Sequence, residues 1–211
     1  MARQQLSCQV QLNILCDPLP KSVLIDGAEY AVRYSAADMI KLSLIGDEEY
    51  PEMSEDEAYS LKLLKQMEMF YIRQPNNLQE AVEKMALFYL GLVGVDAGGD
   101  AGQKENGGRK NFCYGHDAQM IYAAFAQQYN IRDFRGLHWY EFKSLFEGLT
   151  DDCMLVKIMQ FRSMKIHSKM SDEDKKYYRK MKRIHALPDK RTQEQKDSAN
   201  DSFMMSLFNM A

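Results

Sequence analysis

FCYGHDAQMIYAAFAQQYNIRDFRGLHWYEFKSLFEGLTDDCMLVKIMQFRSMKI, residues 112–166, is the longest part of the chain in which aromatic and aliphatic residues stay dense. It holds the single tryptophan, Trp139. Apolar residues recur at helical spacing in successive runs. The first run carries Ala118, Ile121, Tyr122, Phe125 and Tyr129 and stops around Asn130. The second carries Trp139, Phe142, Leu145, Phe146 and Leu149. The third, capped by Thr150 or Asp151, carries Leu155, Ile158 and Met159. Consecutive helices with short breaks predict a mainly α fold with this stretch at its centre. Burying Trp139, Phe142 and Phe146 together contributes several kcal/mol, at roughly 25 cal/mol per Å² and about 150–250 Å² per aromatic side chain.

Upstream, SVLIDGAEYAVRY (22–34) alternates apolar and polar residues on both sides of Asp26-Gly27. Asp-Gly between alternating runs is a hairpin signal, because a type I′ turn needs positive φ at both central positions. An isolated hairpin is marginal in water, so this one must pack on the helices. Ser35 caps a short helix with Met39, Ile40 and Leu44 that stops near Gly46. Ser54 and Glu57 form a capping-box pattern for a helix running to about Arg73, with Leu63, Leu64, Met67, Phe70 and Tyr71 on one stripe. Pro75 ends it. Asn77 caps a further helix bearing Leu78, Val82, Met85, Tyr89 and Leu92.

Downstream, Ser171 followed by Asp172, Glu173 and Asp174 reads as a cap with acids where the helix dipole favours them. The helix that follows is thinly apolar (Tyr177, Met181, Ile184) and strongly basic. These patterns predict about seven or eight helices with a small N-terminal β-hairpin. The expected layout is a flexible leader at 1–16, a single helical domain at 17–190 with a mobile glycine-rich loop at 94–111, and a C-terminal helical tail at 191–211.

The net charge of -3 over 211 residues predicts no general affinity for nucleic acid. Charge is unevenly placed. Residues 47–57 hold seven acids and no base, and residues 157–197 hold thirteen Lys/Arg against six Asp/Glu. Such asymmetry marks either a partner surface or a solvated helix face. Cys8, Cys16, Cys113 and Cys153 form no CxxC pair and read as reduced thiols. No apolar run approaches a membrane span, and no secretory signal is visible at the start.

Catalytic and ligand motifs are wanting. None of His116, His138, His167 and His185 has a His or Cys partner at zinc spacing. The glycine-rich 94–111 stretch lacks the P-loop pattern, its preceding strand and its following helix. His116-Asp117 reads as a helix start, with Asp117 serving the helix N-terminus and His116 as a cap or loop contact. His138-Trp139 reads as structural. No catalytic, cofactor or metal residues are expected, and the protein is not expected to be an enzyme. The candidate partner contacts are Lys175, Lys176, Arg179, Lys180, Lys182 and Arg183 on the basic helix, and Phe203, Met204, Leu207 and Phe208 in the apolar C-terminal cluster. The fifteen methionines fill gaps in the core or suit an adaptable helix-binding surface.

A set of these residues carries a resemblance. His116-Asp117, Ile121 to Phe125, Gln128-Tyr129, Leu137-His138-Trp139, Phe142, Leu145-Phe146, Leu149, Lys157-Ile158 and Arg162-Ser163 together resemble the bacteriophage gene-product-fifteen family. Tyr178 to Lys182, Ala186-Leu187-Pro188 and the start at Leu19-Pro20, Val23, Asp26-Gly27 and Tyr30 are similar as well, so the likeness covers about residues 17–208. The chain departs from the pattern in Trp139-Tyr140, where two tryptophans are common, in Asn130, where glycine is common, and in a longer glycine-rich loop. The resemblance implies a tail-assembly chaperone of long-tailed phages or prophages, acting in the bacterial host cytoplasm. Its implied partners are the tape-measure protein and other tail-assembly proteins, without membrane, nucleic acid or cofactor. A structural virion component, such as a connector or minor tail protein, is the alternative, and a nucleic-acid-binding accessory protein a further one.

Overall fold

The structure, a computed structural model, describes residues 12–91 and 111–188. The chain forms two compact units, Met1–Ser163 and Met164–Ala211. In the first unit the elements are β1 (Ser22–Ile25), β2 (Ala28–Ala31), α1 (Ala36–Gly46), α2 (Glu55–Phe70), α3 (Leu78–Leu90), α4 (Ala118–Tyr129), α5 (Trp139–Glu147) and α6 (Met154–Ser163). In the second, α7 spans Asp172–Ile184. The mainly α fold with seven helices and one hairpin among the described residues is the one the spacing predicts.

The hairpin forms where Asp26-Gly27 places it. Both turn residues have positive φ, 49° and 73°. The register pairs Val23 with Tyr30 and Ile25 with Ala28, which sends Val23 and Ile25 into the core. Two strands alone would not hold. The Asp26 amide donates to Glu80 Oε2 at 3.0 Å, and Asn77 Nδ2 donates to Asp26 Oδ1 at 2.9 Å. On the other side, the Arg33 amide donates to the Phe70 carbonyl at 2.9 Å and Val32 bridges Tyr71. The hairpin is thereby fastened to the end of α2 and the start of α3.

Local signals set the helix starts. Ser35 accepts from the Asp38 amide at 3.1 Å, and Asn77 from the Glu80 amide at 3.2 Å. Ser54 and Glu57 complete a reciprocal capping box. Asn130 ends α4 in the left-handed region at φ 54°. Asparagine tolerates this conformation because its short polar side chain bonds locally.

Aromatic side chains build the core of the first unit. Phe142 stacks on Phe125 at 5.0 Å and on Trp139 at 5.3 Å. Trp139 stacks in turn on Tyr89 at 5.1 Å, and its indole N–H donates to the Tyr89 carbonyl at 2.8 Å. Phe70 and Phe88 meet edge to face at 5.3 Å. Met39, Met67 and Met85 are buried among them, so part of the methionine content is packing.

Several details differ from the spacing. α2 ends at Phe70 rather than near Arg73, because Tyr71 turns to extended backbone to bridge Val32. Leu64 on α2 is exposed. On α3 the inward residues are Ala81, Met85, Leu87 and Phe88, while Leu78 is exposed. Apolar residues on α3 are dense enough to define two overlapping stripes, and contact with Phe70 and Tyr140 selects the one containing Phe88. Tyr122 on α4 is half exposed. α6 begins at Met154, two or three residues later than a cap at Asp151 or Thr150 would set it, because a turn closed by the Cys153 amide on the Thr150 carbonyl intervenes.

Candidate partner-binding surfaces

The basic helix is α7. Ser171 accepts from the Asp174 amide at 3.0 Å. Asp172, Glu173 and Asp174 occupy the first turn and Lys182 and Arg183 the last, so both ends complement the helix dipole. At 3.6 residues per turn, Lys176, Arg179, Lys180 and Arg183 fall on one side and Tyr177, Met181 and Ile184 on the other. Those four cations are exposed. Lys175 and Lys182 are half-buried: Lys175 Nζ lies 3.3 Å from Asp172 Oδ1, and Lys182 Nζ donates to the Met164 carbonyl at 2.6 Å. No residue of α7 is buried, and Ile184 keeps 56% of its surface in water. The other proposed contacts, Phe203, Met204, Leu207 and Phe208, lie outside the described residues, as do the 191–211 tail, residues 1–11 of the leader, and the glycine-rich stretch apart from Asn111.

Asp117 stands at the start of α4 but does not cap it with its side chain. Its carboxylate is fully buried and takes a two-pronged ion pair from Arg162 on α6, Nη1 to Oδ2 at 2.6 Å and Nη2 to Oδ1 at 2.9 Å. The Cys113 amide adds a third bond at 2.9 Å, and Arg162 Nη1 also donates to the Asn111 carbonyl at 2.9 Å. Burial works to raise this carboxyl's pKa. The guanidinium hydrogen bonds, the amide and the neighbouring positive charge outweigh it and hold the pKa below the ordinary carboxylate value. The pair closes the 111–117 turn onto α6, a structural role different from the capping role expected of Asp117. His116 is exposed. Forty-five residues separate Asp117 from Arg162, and no local spacing in the sequence signals their contact.

His138 caps α5. Its Nδ1 accepts from the Tyr140 amide at 3.1 Å, Glu141 Oε2 accepts from the His138 amide at 3.0 Å, and Nε2 meets the Pro20 carbonyl at 2.8 Å. The neutral tautomer with the proton on Nε2 satisfies both ring nitrogens. Burial pushes the imidazole pKa below the ordinary histidine value, against the opposing pull of the Pro20 carbonyl. The histidine is bound into the fold on every side and has the structural role that the sequence suggests.

Among the described residues of the first unit lies a concavity of about 260 Å³, between the end of α1, α3, the 111–114 turn and α6. Tyr89, Phe112, Tyr114 and Met159 wall it, with Ser43 and Asp47 as polar lining. Burial raises the Tyr114 phenol well above its ordinary pKa, so it is neutral. Beyond Asp47, the acidic turn is partly neutralised, with Lys65 Nζ 2.9 Å from Glu48 Oε2. Nothing in the sequence signals this cavity, because its walls come from four separated segments.

Among the described residues, no group of three His, Cys, Asp or Glu side chains is placed to hold a metal ion. Among them too, no helix is long and apolar enough to cross a membrane. No curated protein and no solved structure matches the chain. The family described as Bacteriophage Gp15 protein matches residues 15–187, which spans every element from β1 to α7. The match begins close to the expected residue 17 and ends at 187, short of the expected 208, and it covers well over half of the chain. The chain therefore belongs to the bacteriophage Gp15 protein family.

Proposed function

We propose that this phage protein is a non-enzymatic tail-assembly chaperone that binds the tape-measure protein in the host cytoplasm during tail morphogenesis. Before assembly, long helices of a tape-measure protein expose apolar surface, and a chaperone must cover it reversibly. The observation that supports this reading is α7. It has a continuous cationic side at Lys176, Arg179, Lys180 and Arg183, an apolar side at Tyr177, Met181 and Ile184, and no buried residue. Helices of this design dock amphipathic partners, with the apolar stripe supplying contact area and the cations selecting acidic flanks. Lys175 and Lys182, at the margin of the cationic side, belong to the same surface in this reading.

The test is co-expression of the full chain with the tape-measure protein encoded beside it, followed by affinity capture at low salt. Retention of tape-measure protein, together with absence of the chain from purified virions, is the expected result. Exchanging Arg179 and Arg183 for glutamate should weaken retention. No retention at low salt overturns the proposal. Stoichiometric presence in purified tails replaces it with a structural virion component.

A further inference from the structure

We propose that the exposed charged side of α7 docks antiparallel against a partner helix that carries carboxylates in its first turns and lysine or arginine in its last. The assignment rests on the reading of the chain as a protein-binding chaperone and names the charge order its partner must present.

At 3.6 residues per turn, Asp172, Glu173, Lys176, Arg179, Lys180 and Arg183 fall within one third of the helix circumference. All six are exposed. From the first turn to the last, this side presents two acids and then four bases. On a solvated face opposite charges alternate and pair at i, i+4. Here Lys176 precedes Arg179 by three residues and Lys180 by four, and Arg183 follows the same two by four and three. Like charges at these spacings destabilise a helix that stands by itself, and an acidic partner turns that repulsion into attraction. The ion pair between Asp172 and Lys175, at 3.3 Å, leaves the Asp172 side chain almost wholly in water, so it is weak and readily exchanged.

From Lys176 to Arg183 the bases span about 10 Å along the axis, at about 1.5 Å per residue. A partner helix with carboxylates at i, i+3, i+4 and i+7 covers the same length. Antiparallel docking sets those carboxylates opposite the four bases and brings the partner's last turn beside Asp172 and Glu173. Acids first and bases last is also the order that the dipole of the partner helix favours. A parallel partner would need its acids at the end where the dipole opposes them. A phosphate backbone carries one sign throughout and is repelled at Asp172 and Glu173, which disfavours nucleic acid. A second copy of α7 is disfavoured too, since each carries six Lys/Arg against three Asp/Glu and the two excesses repel.

Three labelled alanine-rich helical peptides test this. The first has glutamates at i, i+3, i+4 and i+7 from its first turn and lysines in its last turn. The second has glutamines in place of those glutamates. The third keeps the glutamates and exchanges the lysines for glutamate. Each is titrated with the full-length chain by fluorescence anisotropy. Wild type should bind the first peptide about tenfold more tightly than the second, the scale of several exposed ion pairs together, and the preference should shrink as salt rises. It should also bind the first more tightly than the third. Lys176→Glu combined with Arg183→Glu should abolish the preference over glutamine. Glu173→Lys should reverse the order of the first and third peptides, an exchange that misfolding does not produce. Far-UV dichroism establishes that the variants keep their helices.

Equal affinity for the first two peptides overturns the assignment, as does a preference that survives the double exchange. Tighter binding of the third peptide than the first to wild type also overturns it, because bulk charge then explains the binding. A short DNA duplex bound more tightly than the first peptide, and released by the double exchange, assigns this side of α7 to nucleic acid instead. Self-association of the wild type that the same exchange removes, read by sedimentation, assigns it to a second copy. The same proteins are tested for tape-measure capture. Capture without the peptide preference sinks the charge-order assignment and leaves the chaperone reading standing. The peptide preference without capture does the reverse.

Discussion

α5 and α7 both open on a capped turn, and there the likeness ends. α5 has nine residues and three of them, Trp139, Tyr140 and Phe142, are buried. α7 has thirteen residues and none is buried. Helices shorter than about 12–15 residues are marginal in water by themselves. α5 therefore owes its existence to tertiary contact: stacking on Tyr89 and Phe125, and a histidine cap tied to Pro20. α7 draws on its sequence neighbours, namely the Ser171 cap, acids in its first turn and bases in its last. One element is fixed by what surrounds it, the other is specified largely by local signals and has no fully buried residue. In a protein proposed to grip another chain, this is a division between scaffold and contact surface.

The sharpest way to break the comparison is Phe142→Ala. Phe142 is fully buried between two stacked rings, so its loss should cost roughly 4 kcal/mol in chemical denaturation. A cost below about 1 kcal/mol would mean that α5 is not the centre of the core.

Arg162→Ala should cost about 3 kcal/mol at neutral pH, since it strands a buried carboxylate. The pH dependence carries the sign. In the wild type the folded Asp117 pKa lies below that of the unfolded chain. Its stabilising contribution is therefore full above about pH 4 and is lost as pH falls through the folded value. In the variant the stranded carboxylate should have a raised pKa and regain stability on protonation. The gap between the two proteins should narrow from pH 7 to pH 3 in urea titrations. A gap that stays constant would show that Asp117 does not depend on Arg162.

His138→Ala should cost about 2 kcal/mol, for the cap and the bond to Pro20. The folded imidazole pKa is depressed, so the His138 contribution is full above about pH 6.5 and is lost as pH falls through the folded value. An NMR titration of the wild type should place His138 below the ordinary histidine value. A His138 midpoint at or above the ordinary histidine value would contradict the buried neutral cap.

Ser171→Ala is the mildest change, about 1 kcal/mol of local helix stability. It should speed amide exchange along α7 while α5 exchange stays unchanged. Equal acceleration in both helices would erase the distinction between them.

The same contrast explains what was legible in the sequence. Asp26-Gly27, the Ser54–Glu57 box and the caps at Ser35, Asn77 and Ser171 were readable because each acts within a few residues of itself. The amphipathic sides of α7 were readable for the same reason. The inward face of α3 was not, because Leu78 and Phe88 compete for it and only Phe70 and Tyr140, far away in sequence, decide. Asp117 was recognisable as a helix-start residue, but its ion pair depends on α6 lying alongside. The cavity needs four segments at once, and no local pattern encodes such a meeting.

Trp139 has a practical consequence. It is the single indole of the chain, 2% exposed and belonging to the first unit. Residues 164–211 contain tyrosine but no tryptophan. Emission excited at the red edge of indole absorption therefore originates in the first unit alone. Far-UV dichroism reads the helices of both units, so a melt followed in both channels assigns the indole transition to the first unit without any label.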